Sequence, residues 1–173
     1  MSTRHFLTNQ IIETRNVTNR LISEIPEELW YEIPENTDAN YAWQIGHLLT
    51  AQNYHINFCV FGMDRQVFDK IPLKSYAEVF GGLGSPKRSV SQDFVTTKEL
   101  WKNMDYIFSI CLGKLDNADE KMLGEELEPT LFKNPIAKNK YEAISWSFKH
   151  EMWHCAEMEQ IKIRLGKQFN WLQ

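Results

Sequence analysis

The stretch NKYEAISWSFKHEMWHCAEMEQIKIRL, residues 139–165, decides how this chain is expected to fold. Asn139 and Glu142 have the spacing of a capping box and Gly166 follows the end, so the stretch is predicted to form one long helix. At about 100° per residue, one continuous side of this helix has the spacing of a face that packs against a core. That side carries Ala143, Trp146, His150, Trp153, His154, Glu157, Ile161 and Leu165. Two histidines and a carboxylate are therefore expected on the core-facing side.

Apolar residues at helical spacing predict three further long helices earlier in the chain. The first covers about residues 4–23, and the second runs from about Ala39 to the residue before Gly62. The third runs from Thr96, which forms a capping box with Glu99, to about Leu115. Four long helices with few strand signals predict an all-α four-helix bundle, and the length of 173 residues predicts a single domain over residues 1–173.

The segment between the second and third helices, residues 63–95, has a different composition. Its prolines and glycines favour a long crossover connection, and such a connection normally has a function or some structure of its own. A short helical turn around Tyr76, Val79 and Phe80 is expected within it. The residues that indicate the crossover are Pro72, the Gly81-Gly82-Leu83-Gly84 cluster and Pro86.

Composition and charge exclude several classes of function. The net charge is −4, without a basic stripe that could neutralise a run of phosphates, so no nucleic-acid partner is expected. The N-terminus lacks the apolar segment of a signal peptide, and no stretch reaches the roughly 18 apolar residues of a membrane span. Cys59, Cys111 and Cys155 are scattered and odd in number, which favours a reducing, cytoplasmic setting.

The two histidines of the last predicted helix have two interpretations. They are either packed core histidines with hydrogen-bond partners or metal ligands, and a third ligand favours the second interpretation. The stretch YAWQIGHLLTAQNYH, residues 41–55, offers His47 and His55. His47 is predicted to face inward on an aromatic surface, with close backbone packing at Gly46, whereas His55 is rotated from it by roughly 80° towards the edge. His47 is the preferred candidate, and His5 is expected to be exposed.

Three neutral imidazoles that project into a bundle core form a partial tetrahedral ligand set for a divalent ion. Such a set leaves at least one coordination position for water or a substrate. Cys155 is predicted to point away from the histidine stripe and to be a core residue instead of a nucleophile.

The WxxGH segment at 43–47, the HxxxH segment at 150–154 and the Leu165-Gly166-Lys167 end resemble the DinB/YfiT-like metalloenzyme family over nearly the whole chain. The resemblance implies a four-helix bundle, often dimeric, in which His47, His150 and His154 bind a divalent metal such as nickel or zinc. It also implies transferase activity with a low-molecular-weight thiol, such as bacillithiol or mycothiol, as cosubstrate. Many members of the family have a Gly-Gln pair where this chain has Ala156 and Glu157. Glu157 is therefore open to four interpretations: a residue that orients a ligand, an additional ligand, a general base, or an ion-paired carboxylate.

Three functional hypotheses follow. The first is a metal-dependent enzyme, a thiol S-transferase or a hydrolase, that acts on a small-molecule substrate. The second is a non-catalytic metal-binding or stress-associated protein, and the third is a helical interaction domain whose histidines are only packed. A homodimer is compatible with all three.

Overall fold

The computed structural model describes residues 2–81 and 87–167, and its long helices begin and end close to where the sequence predicts. The second predicted helix is one rod in three parts, namely Tyr41–Gln52, a π-helical turn at Asn53–Phe58, and Cys59–Phe61. In chain order the helices are α1 (Thr3–Ser23), α2 (Tyr41–Gln52), α3 (Cys59–Phe61), α4 (Arg65–Lys70), α5 (Leu73–Phe80), α6 (Thr97–Asp116) and α7 (Lys140–Arg164). Short 3₁₀ turns occur at Glu27–Leu29 and Glu120–Gly124.

The four long rods pack as a bundle, with α1 against α7, α2 against both α6 and α7, and α1 against α6. No β-strand occurs in residues 2–81 or 87–167. The predicted all-α bundle with a long crossover is therefore confirmed. In the same residues no helix is both long enough and apolar enough to span a membrane.

Local signals placed most helix ends correctly. Thr96 and Glu99 make both halves of the capping box, with N–H to oxygen distances of 3.1 and 3.2 Å. Gly62 ends the second rod with a φ of 81°, a conformation that glycine adopts without strain. At α7, Asn139 accepts from the Glu142 N–H as predicted, but the Glu142 carboxylate accepts from Lys138 N–H instead of Asn139 N–H. The predicted backbone donor to Glu142 was therefore wrong by one residue.

The crossover contains more helix than predicted. α5 includes the expected turn from Tyr76 to Phe80, and α4 precedes it. α5 lies against α2, and the Phe80 ring is fully buried there. The Gly82-Leu83-Gly84 and Pro86 part of the predicted crossover lies outside the described residues. Beyond it, Arg88 pairs with Ala39 as an isolated β-bridge and accepts from Asn40 N–H at 3.1 Å, which brings the end of the crossover to the start of α2.

The side of α7 that was predicted to face the core is not the side that is buried. Trp153 is 61% exposed, and the buried residues centre on a line rotated by roughly 80° from the predicted stripe. Glu151 lies near that line and pairs with the buried Arg15 of α1, with a nitrogen–oxygen distance of 2.7 Å. Because the true core face contains charged and small polar residues, its hydrophobic signal is weak. The histidines consequently lie at the edge of the bundle, not in the middle of its core. The buried residues of α7 include Ile144, Ser147, Glu151, Cys155, Met158 and Lys162.

Candidate metal centre

Three histidines from two helices converge at this edge of the bundle. His47 comes from α2, and His150 and His154 come from successive turns of α7. The Nε2 atom of His150 lies 3.3 Å from Nε2 of His47 and 3.1 Å from Nε2 of His154. One ring nitrogen from each residue forms a set in which all members lie within 4.8 Å of one another. The structure therefore brings together the three histidines that the sequence singled out.

The partners of two rings determine which nitrogen carries the proton. Nδ1 of His47 donates to the carbonyl oxygen of Phe80 at 2.6 Å, at the C-terminal end of α5. Nδ1 of His154 lies 2.6 Å from Oε1 of Gln44 and donates to it. The Gln44 amide cannot be turned around, because its Nε2 donates to the Glu157 carboxylate at 3.0 Å. With the proton on Nδ1, each neutral ring directs the lone pair of Nε2 into the cluster.

The donor set fits a divalent ion. Imidazole nitrogens about 2.0–2.1 Å from a tetrahedral ion lie roughly 3.3 Å apart, close to the two Nε2–Nε2 separations of 3.3 and 3.1 Å. Burial lowers the pKa of all three rings, that of His150 to about 4 and that of His154 to about 2, so that they are neutral at pH 7, as ligands must be. Without a cation, lone pairs on neighbouring nitrogens repel one another. The cluster thus has the spacing, protonation and electrostatics of a metal site.

Glu157 supports the cluster from outside. Its carboxylate forms an ion pair with Arg88 and accepts from Gln44, and it lies 3.2 Å from Nδ1 of His154. It does not belong to the set of converging ligand atoms found in the described residues. Of the four interpretations of Glu157, this position favours a residue that orients a histidine ligand. The ion-paired carboxylate is also observed, since Glu157 pairs with Arg88.

His47 is also held through a stack of flat groups. The Trp43 ring lies parallel to the His47 ring, 9° apart in plane and 4.8 Å between centroids. The Arg88 guanidinium covers the Trp43 ring at 5.1 Å, and Trp43 donates from Nε1 to the Val79 carbonyl at 2.9 Å. Arg88 therefore contacts both the stack on His47 and the carboxylate beside His154. The end of the crossover is connected in this way to both sides of the cluster.

The cluster is not fully enclosed. His154 is buried, whereas His47 and His150 are half-buried because the site lies at the bundle edge. The Trp146 ring, also half-buried, lies 5.9 Å from the His150 ring. An incomplete ligand set with an accessible side is typical of sites that bind a water or a substrate, whereas structural sites are closed by four protein ligands.

His55 does not lie where the sequence predicted. It was expected to be rotated from His47 towards the edge, but it is only 8% exposed, and its ring is 6.2 Å from the His150 ring. The reason is the π-helical turn Asn53–Phe58, because the wider turn changes the direction of the side chains within it. A projection based on an ideal α-helix fails from that point onward. Nδ1 of His55 contacts the side chain of Asn134, and burial lowers the pKa of the ring to about 4.

Two further predictions about candidate residues hold. His5 is exposed and contacts Asn9. Cys155 is buried, and its sulfur lies 3.2 Å from the Thr18 hydroxyl. Burial raises the pKa of the Cys155 thiol to about 11, which makes it a poor nucleophile at neutral pH.

Sequence reasoning missed three residues that shape the site, namely Gln44, Arg88 and Asn134. Gln44 had one detectable signal, since it is a polar residue one helical turn before His47. Arg88 and Asn134 lie in irregular connections, and no periodic pattern relates a residue in such a segment to a helix face. Their contacts arise only from tertiary packing.

Comparisons with known proteins support the fold and leave the function open. No protein-family model matches the sequence, and no curated protein matches it as a relative. The structure is similar to that of a conserved protein from Enterococcus faecalis, with a TM-score of 0.68 and 12% identity, covering 96% of this chain and 99% of that one. It is also similar to an uncharacterised protein from Escherichia coli UTI89, with a TM-score of 0.64, 10% identity and 98% coverage of both chains. Fold and site together define an all-α bundle protein with a three-histidine cluster that can hold a metal ion.

Proposed function

We propose that this protein binds one divalent metal ion, nickel or zinc, through Nε2 of His47, His150 and His154, and that it is a metal-dependent enzyme of the thiol S-transferase or hydrolase type. The observation that carries the proposal is the convergence of three Nε2 atoms with 3.1 and 3.3 Å separations, two of them with lone pairs directed inward by fixed partners. The resemblance of the WxxGH and HxxxH segments to the DinB/YfiT-like metalloenzymes supports the choice of reaction types. A small-molecule substrate and a homodimer belong to the same proposal.

Each residue of the site has a distinct part in this function. A bound divalent ion supplies Lewis acidity, which lowers the pKa of a thiol or water so that it is anionic and nucleophilic at neutral pH. Phe80 and Gln44 hold the proton of His47 and His154 on Nδ1, which raises the basicity of each ligand and fixes its ring. Glu157 accepts from Gln44 and is itself paired with Arg88, and the half-buried side next to His150 admits the substrate.

Metal analysis tests the binding part of the proposal. Protein stripped with a chelator and reloaded by dialysis with zinc or nickel is expected to hold about one equivalent by elemental analysis. Replacement of His47, His150 or His154 by Ala is expected to lower uptake severely, because two imidazoles bind far more weakly than three. His5→Ala and His55→Ala are the matched controls and are expected to retain the ion. Full metal uptake by all three cluster variants would show that these histidines do not bind the metal.

A cobalt-loaded form separates the catalytic types. An ion held by imidazoles accepts a soft sulfur ligand, and uptake of a thiol as thiolate releases a proton. Cobalt(II) gains an intense sulfur-to-metal charge-transfer band on such binding. We expect this band to appear saturably when a small thiol is added to protein carrying Cys59→Ser and Cys155→Ser, and to be absent in the same protein with His150→Ala. A titration without a new band for several thiols would contradict the transferase type and favour hydrolysis or non-catalytic metal binding.

A further inference from the structure

A fourth histidine lies beside the cluster without belonging to it. His55 is buried, and its ring centroid is 6.2 Å from that of His150 and 5.2 Å from that of Tyr54. Its ring nitrogens do not belong to the set formed by His47, His150 and His154. Its only hydrogen-bond contact within residues 2–81 and 87–167 is made by Nδ1, which lies 3.2 Å from Nδ2 of Asn134. Because the ring has two nitrogens, the identity of that contact determines what the other nitrogen can do.

The backbone around Asn134 determines the direction of that contact. Oδ1 of Asn134 accepts from the N–H groups of Ile136 and Ala137, at 3.0 and 2.9 Å. These two bonds fix the orientation of the amide, so that Nδ2, which can only donate, faces His55. Nδ1 of His55 is consequently the acceptor, and the proton of the neutral ring is on Nε2. This is the opposite of His47 and His154, in which Nδ1 carries the proton.

We propose that His55 is a positioning residue whose Nε2–H donates a hydrogen bond to the molecule at the open side of the metal centre, so that the site selects carboxylates and related oxygen acceptors. This inference rests on the proposed metal site and deepens it. A ring with the proton on Nε2 cannot serve as a fourth Nε2 ligand. It can donate to the second oxygen of a carboxylate whose first oxygen is bound to the ion.

The surroundings of His55 strengthen such a bond. The residue is 8% exposed, and a hydrogen bond to an anionic oxygen is stronger where little water competes for it. Nδ1 already accepts from Asn134, so the ring is left to donate through Nε2. Selection then depends on the position of an acceptor atom and not on net charge. The 6.2 Å separation from the His150 ring leaves His55 within the span of one small bound group.

The tautomer is measurable without metal. In ¹⁵N-labelled apoprotein at pH 7, long-range proton–nitrogen correlation spectra are expected to show the His55 proton on Nε2 and the His47 and His154 protons on Nδ1. Asn134→Asp replaces the donating amide by a carboxylate that accepts from Nδ1–H, so it is expected to move the His55 proton to Nδ1. A His55 proton on Nδ1 in the unmodified protein would overturn the proposal.

Ligand binding to the cobalt-loaded protein tests the selection itself, with acetate and imidazole as the two probes. Acetate offers a second oxygen as an acceptor, whereas the free nitrogen of metal-bound imidazole carries a proton and cannot accept. His55→Leu is expected to weaken acetate binding roughly tenfold, as for loss of a charge-assisted hydrogen bond, and to leave imidazole binding unchanged. His55→Gln, whose amide nitrogen can replace Nε2–H, is expected to restore most of the acetate affinity. Asn134→Asp is expected to weaken acetate and to strengthen imidazole.

The outcomes separate this inference from the proposed function. Loss of one equivalent of cobalt in His55→Leu would show that His55 is a ligand and would overturn the positioning role. Unchanged acetate affinity in fully loaded His55→Leu would also overturn it, while leaving the three-histidine site intact. If the unmodified protein itself bound no cobalt, the proposed function would fail and this inference would fail with it.

Discussion

At the scale of single residues, the position of one proton on each ring decides what a histidine can do. His47 and His154 carry it on Nδ1 because a carbonyl oxygen and an amide oxygen accept from them, which leaves Nε2 free for a metal. His55 meets an amide nitrogen and therefore carries it on Nε2. Residues of the same type within one site thus acquire different chemistry from their neighbours.

Gln44 should therefore matter to metal affinity although it touches no metal. Gln44→Leu removes the amide oxygen that accepts from Nδ1 of His154 at 2.6 Å and leaves that proton only the more distant Glu157 carboxylate, at 3.2 Å, so the ring is held less firmly. Loss of such an outer partner typically costs 10–100-fold in metal affinity. We expect a decrease of that size in competition titrations of zinc against a chromophoric chelator.

The matched control for this experiment is Gln66→Leu, in which the same change is made at an exposed position of α4. Its zinc affinity is expected to equal that of the unmodified protein. Equal affinities for Gln44→Leu and Gln66→Leu would show that the hydrogen bond to His154 does not orient the ligand.

At the scale of the elements, the site depends on how closely α5 approaches α2. A Cβ atom added at Gly46 would lie 2.4 Å from the nearest atom of the Phe80 ring. The same Phe80 provides the carbonyl oxygen that accepts from His47. Glycine at position 46 therefore allows Phe80 to approach α2 and to accept from His47, the next residue in the chain. Close packing at Gly46 was predicted from the sequence.

Gly46→Ala is expected to destabilise the protein by about 1–3 kcal/mol, although alanine is the better helix former. The reason is overpacking against Phe80, so the additional change Phe80→Leu should recover part of the loss in urea unfolding. Gly113→Ala in α6 is the control, because a Cβ there meets nothing within 4 Å. It should stabilise the protein by up to about 1 kcal/mol. Equal effects of the two substitutions would contradict the overpacking argument.

The helices also show which features of the fold and the site could be predicted from the sequence. Caps and helical periods placed the long helices, and the i,i+4 spacing of His150 and His154 together with the inward side of α2 located the three histidines. The orientation of α7 could not be predicted, because its buried Glu151 is paired with Arg15, a contact between helices 136 residues apart in the chain. The π-helical turn that moves His55 inward could not be predicted either, since an α-helical period has no signal for an added residue per turn.

At the scale of the whole molecule, the site joins distant parts of the chain. His47 and His150 are 103 residues apart, and a metal that binds both can form its full set of bonds only in the folded protein. Metal binding should therefore stabilise the fold by mass action, with a gain that increases with the ratio of free metal to its dissociation constant. The buried rings link the fold to pH as well.

The metal-free protein is accordingly expected to lose stability as the pH falls from 7 to 5. Burial lowers the pKa of His55 and His150 to about 4 and that of His154 to about 2, whereas the unfolded chain binds these protons near pH 6.5. Because the unfolded state binds more protons in this window, the free energy of unfolding rises with pH, by up to about 1.4 kcal/mol per pH unit for each such ring.

Urea unfolding of chelator-treated protein at several pH values measures how the free energy of unfolding changes with pH. At pH 5.5 the slope should correspond to uptake of more than one proton on unfolding. The carboxyls with lowered pKa, such as those of Asp64 and Glu99, titrate mostly below this window even in the unfolded chain, and they contribute little to the slope at pH 5.5. His154→Leu should reduce the slope by about one proton, because the leucine side chain fills the site without titrating. His5→Gln changes an exposed residue and should leave the slope unchanged. A stability that is constant between pH 7 and 5 would mean that the folded and unfolded states bind equal numbers of protons, so that burial does not lower the pKa of these rings.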